Sequence, residues 1–325
     1  MRCASIFAQF EVTIPGANGQ PAFTFIANTP DPDIKQLPQT IRSVRQRDPI
    51  AFIQLLAEYI NEKASCDYDR VKKIHDWVAL NIKYDTQSYF SGRYPSQRFE
   101  SVIKRGNAVC AGYADVFKYI CDIMEIECEI VTGYARGYGS SLFKFEDVTD
   151  SNHAWNIVTI EEKKHLIDST WNAGYVDGRT YKARYRTDYF LCDPAIFIYE
   201  HFPLSSANQL LDTPLSAEAF NALPFLRPPF FQVFETWPDL PRISEVETGE
   251  KLHLEFTAKP GYQLSHGWYT QSGTRVGRDV FQEKRDIYTI NLPNLKPGKY
   301  FLRLWFRESG ENSYSSCGQF GFHVR

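Results

Sequence analysis

The sequence holds no CxxC and no HxxxH pair, so the ligand spacing of a structural zinc site is missing. Its seven cysteines (Cys3, Cys66, Cys110, Cys121, Cys128, Cys192, Cys317) are odd in number and spaced without a framework, which argues against a disulfide scaffold. No apolar run approaches the ~20 residues that a membrane-crossing helix needs. The opening stretch MRCASIFAQFEVTIPG lacks an apolar core of signal-peptide length. Together these absences lead us to expect a cytoplasmic protein without a membrane span. The formal net charge is only −3, so there is no general pull toward nucleic acid. No internal repeat, low-complexity tract or EF-hand-like acidic spacing is found. No metal and no cofactor is therefore expected.

What is there is a chain of 325 residues, 43% hydrophobic and 15% aromatic, comfortable for two packed units. Residues 1–45 read as an N-terminal extension. FEVTIPGANGQPAFTFIA has apolar runs flanking a Gly/Asn/Pro turn and predicts a hairpin, whereas NTPDPDIKQLP predicts irregular chain. From Asp48 an acidic cap, a proline and apolar residues at helical spacing predict a helix. DYDRVKKIHDWVALNIKYD predicts a second, with Val71, Ile74, Trp77, Val78 and Ile82 on one side. After Glu125, CEIVTGYARGYG and HAWNIVTIEEKKHLIDSTW have the β-branched and aromatic content of strands. Helices followed by strands point to an α+β unit over 46–204. A helix-poor linker, 205–229, follows, and Pro228–Pro229 mark a boundary. The remaining segment, 230–325, has short alternating runs separated by turns, as in a disulfide-free immunoglobulin-like β-sandwich. Leu252, Leu254 and Phe256 are expected inside it, as are Phe301, Leu302 and Trp305. It offers a surface for a protein partner.

One thiol stands out. GNAVCAGYADVFKYICDIM places Cys110 where an apolar helical pattern begins. Unpaired N–H groups at a helix start carry partial positive charge and stabilise a thiolate. Ala108, Ala111 and Gly112 are small and would leave room for a substrate. Cys121 falls on the apolar side of the same helix and reads as packing. A thiolate acting on an amide also needs a proton donor and a group to orient it. His153 opens one predicted strand and Asp168 lies near the end of the next. If Glu161 and Glu162 are the turn, residues pair when their numbers sum to 323. His153 and Asp168 then share a face, one diagonal step apart, whereas a slip by one residue would separate them. His75, His165 and His201 show no comparable setting. An aspartate before Ser-Thr is also a common helix or turn cap.

The pieces WVALNIKYD, VCAGYADVFKYIC, VTGYARG, NHAWNIVTI, HLIDSTWNAG and YFLCDPAIFIYEHFP, in this order over residues 70–204, resemble the transglutaminase-like superfamily of papain-like folds, nearest to its kyphoscoliosis peptidase branch. NQLL and LPFLRPPFF extend the likeness toward 230, with Asn208 standing where relatives tend to carry Trp. The resemblance implies a papain-like core with Cys110 as nucleophile, His153 as general acid/base and Asp168 as orienting group. It implies a protein or peptide substrate and a thioester at Cys110, released by water (peptidase or deamidase, the former favoured) or by a lysine amine (cross-linking). It also leaves open a non-enzymatic scaffold, as some members have lost the triad. The Cys110 backbone N–H and the side chain of Gln97 or Asn107 are the candidates to meet the oxyanion.

Overall fold

Capping chemistry and apolar spacing build a helical layer. The computed structural model describes residues 10–15, 21–276, 282–284 and 286–325. Helix Pro49–Lys63 starts where the Asp48 carboxylate accepts from Ala51 N–H at 3.0 Å, and its buried stripe is Phe52, Ile53, Leu56, Ala57 and Ile60. Helix Asp67–Asn81 adds Val71, Ile74, Trp77 and Val78. With Phe99–Arg105 and Cys110–Ile123 they enclose one core in which Phe52, Trp77 and Phe117 are fully buried. Each such side chain contributes roughly 1.5–3 kcal/mol through burial.

The stretch NTPDPDIKQLP is not irregular. It holds the short helix Pro32–Lys35 and ends at Pro38, which precedes a second short helix, Gln39–Arg42. Asp31 accepts from Asp33 and Ile34 N–H, and Pro32 opens the first turn, so residues that read as breakers act as start signals. Ile34, Leu37 and Ile41 enter the helical core. The strands Glu11–Pro15 and Pro21–Ile26 pair antiparallel and set Phe23 and Phe25 against that core; most of the turn between them lies outside the described residues.

The helices pack on an antiparallel sheet ordered Phe190–Cys192, Lys163–Ile167, His153–Ile160, Cys128–Ala135, His201–Pro203. The central strand, His153–Ile160, is buried on both faces. Val158 and Ile160 face the helices, while Trp155 and Ile157 join Val131, Leu166, Tyr189 and Phe197 in a second cluster. The hairpin register runs from Asn156↔Ile167 to Ile160↔Lys163, so each pair sums to 323. Glu161 and Glu162 both have positive φ, 49° and 65°, the backbone of a two-residue type I′ turn, whose twist matches that of the strands. Asp168 lies just beyond the paired residues and caps the helix Ser169–Ala173.

The stretch 205–229 is richer in helix than its composition suggests. Ala217–Ala222 is capped by Ser216, and Pro228 and Pro229 begin the helix Pro228–Val233 rather than break the chain. Between them Phe225–Leu226 pairs with the sandwich strand Ser315–Val324. Among the described residues the sandwich has a six-stranded and a four-stranded sheet. Their inner faces meet in a separate core that includes Phe230, Leu254, Phe256, Trp268 and Phe320. In strand Gly298–Glu308 the inward residues are Leu302, Leu304 and Phe306. Phe301 and Trp305 point the other way, because side chains alternate along the pleat and Leu302 takes the core side.

Candidate active site

Cys110 is the first residue of helix Cys110–Ile123, preceded by Val109, which gives no side-chain cap. The first turn is packed closely from behind. A Cβ on Gly112 would meet Ala108 Cβ at 2.6 Å, Gln97 Oε1 at 2.7 Å and Val102 Cγ2 at 2.9 Å. The small residues Ala108 and Gly112 thus serve this contact and do not open space for a substrate; Ala111 is exposed.

His153 and Asp168 come together as the hairpin register requires. His153 Nε2 lies 2.7 Å from Asp168 Oδ2. With Nε2 engaged, Nδ1 is the nitrogen left to face the Cys110 thiol, and the two groups are close enough to shift each other's protonation. The other carboxylate oxygen, Oδ1, accepts from Thr170 N–H at 2.9 Å and Trp171 N–H at 3.1 Å. Asp168 is thus both a helix cap and the partner of a histidine, one oxygen for each role.

A third group was not foreseen. His201, from the edge strand His201–Pro203, places Nε2 3.1 Å from the same Oδ2. Its ring stacks on Phe197 at 3.9 Å and lies 4.4 Å from Trp171. Nothing in YEHFP marks it, because the strand that carries it is brought to Asp168 by pairing with Cys128–Ala135, far away in sequence. His75 also has a setting the sequence did not reveal. It is fully buried, with Nδ1 3.0 Å from Asp76 and Nε2 accepting from Asn172 Nδ2 at 2.9 Å. Asn172 in turn accepts from Tyr189 N–H, so the helix that Asp168 caps is clamped from both sides.

Burial pushes the Cys110 thiol up, but the charge and hydrogen bond of His153 and the Ala154 backbone N–H outweigh it, and the thiol is held below its ordinary value. For His153 burial opposes the imidazolium, yet the Asp168 carboxylate and Cys110 raise it to about 10. Asp168 is pressed toward neutrality by burial and overruled by the His153 charge and both imidazole hydrogen bonds, which hold it well below the carboxylate range. Burial instead lowers His201 to about 4, so it is a neutral donor to the carboxylate. Cys110 and His153 thus each favour the other's charged form, and Asp168 favours that of His153.

His153, Asp168 and His201 are the one group among the described residues with donors close enough for a metal ion, within 4.8 Å of one another. Both imidazole nitrogens already lie at hydrogen-bond distance from one carboxylate oxygen, which is the geometry of a hydrogen-bonded relay. The two oxyanion candidates differ. Gln97 reaches the start of the helix that carries Cys110: its Oε1 accepts from Val109 N–H at 3.1 Å, while Nε2 donates to Pro95 O at 2.8 Å. The Asn107 side chain accepts from Arg105 Nε at 3.3 Å. Six cysteines among the described residues are free thiols, and Cys121 is wholly buried. No helix among them is long and apolar enough to cross a membrane.

Residues 54–171 match the family model described as the transglutaminase-like superfamily. That span holds Cys110, His153 and Asp168 and ends before His201. The chain is 31% identical over 237 residues to a Mus musculus protein named Kyphoscoliosis peptidase, covering 69% of this chain and 36% of that one. It is 35% identical over 170 residues to the Homo sapiens protein of that name, covering 51% and 25%. To the Drosophila melanogaster protein Hillarin it is 27% identical over 204 residues, covering 58% and 24%. The chain thus spans about a quarter to a third of the length of these relatives. Among solved structures, a crystal structure of a TGase is similar with a TM-score of 0.30 and 21% identity, over 44% of this chain and 38% of that one.

Proposed function

Because residues 54–171 are a transglutaminase-like domain, we propose that this protein is a cysteine enzyme that acts on protein amide bonds through a thioester at Cys110. The observation that carries the reading is His153, which bridges the Cys110 thiol on one side and Asp168 on the other. The thiolate adds to an amide carbonyl of a peptide bond or a glutamine side chain. The oxyanion is met by the Cys110 backbone N–H, which has no intrahelical partner at a helix start. Collapse breaks the C–N bond, and the amine leaves with the proton of His153 Nδ1. The resulting thioester is then attacked by water or by a lysine amine, and the neutral imidazole takes up the incoming proton. Peptide hydrolysis is the favoured outcome; deamidation and cross-linking share every step up to the thioester.

Asp168 holds the imidazole in the orientation that faces the thiol, and His201 holds Asp168. Gln97 supports the turn that carries Cys110 by accepting from Val109 N–H, and its amide group donates to Pro95 O. Asn107 accepts from Arg105 through its oxygen, which leaves its amide N–H groups as the donors for the oxyanion.

A second reading, a non-enzymatic scaffold, is favoured by the burial of the same groups: His153 is 8% exposed and Asp168 fully buried. In that reading the charges only lock the sheet to the capped helix, and the sandwich supplies the partner surface. Reaction with iodoacetamide at mildly acidic pH and with an acylating probe separates the two. An enzyme labels at Cys110 and loses the label in Cys110→Ala while keeping its fold. Equal labelling of both proteins, or none of either, rejects the enzyme. A screen for proteins cleaved or cross-linked by wild type but not by Cys110→Ala then identifies the substrate.

A further inference from the structure

The transglutaminase-like unit and the sandwich meet along a polar cleft of about 140 Å³, lined among others by Arg136, Ser140, Glu200, Arg227, Arg303 and Ser316. That is room for several waters or one small ion. Its charges do not balance. Arg136 Nε and Arg242 Nη1 both lean on Glu146, at 2.9 and 3.4 Å. Arg227 is 3.7 Å from Glu200, beyond hydrogen-bond reach. Arg303 has no carboxylate among the contacts described. Four guanidinium groups therefore share two carboxylates, an excess of two positive charges. Burial also raises the Glu200 carboxyl to about 7, which weakens the negative side further.

The donors are not equally committed. Arg136 is spent on Glu146 and on the carbonyls of Tyr199, Phe220, Leu223 and Pro224. Arg303 is the reverse. Its guanidinium sits 5.2 to 5.8 Å from the ring centres of Phe301, Tyr269 and Trp305, and its Nε is buried with no hydrogen-bond partner among the described residues. Rings hold the cation in place but accept no conventional hydrogen bond from it. A buried guanidinium donor without an acceptor is costly, and a water would satisfy the donor while leaving both charges uncompensated. Phe301 and Trp305, which the sequence placed in the sandwich core, here form the walls beside this group.

We propose that the cleft binds a small tetrahedral oxyanion, a phosphate or a phosphoryl group carried on a peptide, held by Arg303 and Arg227 with the hydroxyls of Ser140 and Ser316. A doubly charged phosphate matches the excess of two charges, and guanidinium forks suit its paired oxygens. Cys110, His153 and Asp168 are not among the residues that line this cleft.

Titration calorimetry with inorganic phosphate, in chloride buffer of matched ionic strength, tests the proposal. We expect saturable binding of one phosphate per chain. Arg227→Gln, at an exposed side chain whose loss does not threaten the fold, weakens it at least tenfold. Arg303→Met, which keeps the aliphatic stem among the rings, does the same. Glu200→Gln removes the one carboxylate among the lining residues and tightens binding. A phosphoserine peptide that binds at least tenfold tighter than inorganic phosphate identifies a protein source; equal or weaker binding identifies the free ion. Absence of saturable heat with both probes, or affinity unchanged in Arg227→Gln and Arg303→Met, overturns the proposal.

Discussion

Replacing Asp168 by Asn keeps the shape of the side chain and removes its charge. The amide oxygen can still accept from Thr170 and Trp171 N–H, so the start of helix Ser169–Ala173 survives. What changes is the atom facing His153 and His201. An NH₂ group there meets two ring nitrogens that donate in the native protein. His153 must then accept at Nε2 and carry its proton on Nδ1, the wrong tautomer for a base acting on Cys110. The carboxylate leads the interactions that raise His153 to about 10 against its burial, and the His153 charge leads those that lower the Cys110 thiol, so loss of the carboxylate moves both groups toward the neutral forms. An ordinary thiol is only ~0.3% ionised at pH 6. A thiolate held in an ion pair at that pH is up to a few hundredfold more abundant. Lower basicity takes back roughly an order of magnitude in intrinsic reactivity. Alkylation of Cys110 by iodoacetamide at pH 6 should therefore be on the order of tenfold slower in Asp168→Asn, with the gap closing toward pH 9. Peptide mapping of Cys110 over a pH series measures this, with circular dichroism to confirm the fold. Superimposable pH profiles would refute the ion pair and with it the proposed chemistry.

Four further outcomes follow from the structure. Glu146→Ala strands Arg136 and Arg242, which are 4% and 5% exposed, and should cost about 3–5 kcal/mol in urea unfolding; a loss below about 1 kcal/mol would mean that water reaches the network. His201, lowered to about 4, refuses a proton that the unfolded chain accepts below about 6.5. Stability should thus fall as pH drops through that window, by on the order of 3 kcal/mol from this group, and His201→Gln should flatten that limb. His153 has the opposite sign: its stabilisation is full below about 6.5 and is lost as pH rises through about 10. Finally, residues 224–325 should fold alone, because the sandwich core draws its buried side chains from Leu226 onward; a fragment without a cooperative transition or dispersed amide resonances would show that the two units need each other.

The local parts of this protein were written in its sequence. Helical spacing and the Asp48 cap give helix Pro49–Lys63, and the Glu161–Glu162 turn sets the register that brings His153 beside Asp168. Both are short-range: a helix face and a two-residue turn are decided within a few residues of chain. Where the reading failed, the deciding partner lay far along the chain. His201 reaches Asp168 only because its strand pairs with Cys128–Ala135, and Gly112 is needed only because Gln97 and Ala108 close on it from another segment. Pro228–Pro229, by contrast, open a helix because proline suits the first helical turn, a local signal that also reads as a break. Phe301 and Trp305 share a face with Arg303 and Arg307, so the charged residues of this strand already mark that face as the outer one, and Leu302, Leu304 and Phe306 as the inner set. The balance of charge in the cleft is tertiary for the same reason as the place of His201: Arg136, Arg227, Arg242 and Arg303 are scattered in sequence, and only folding decides which carboxylates stand beside them.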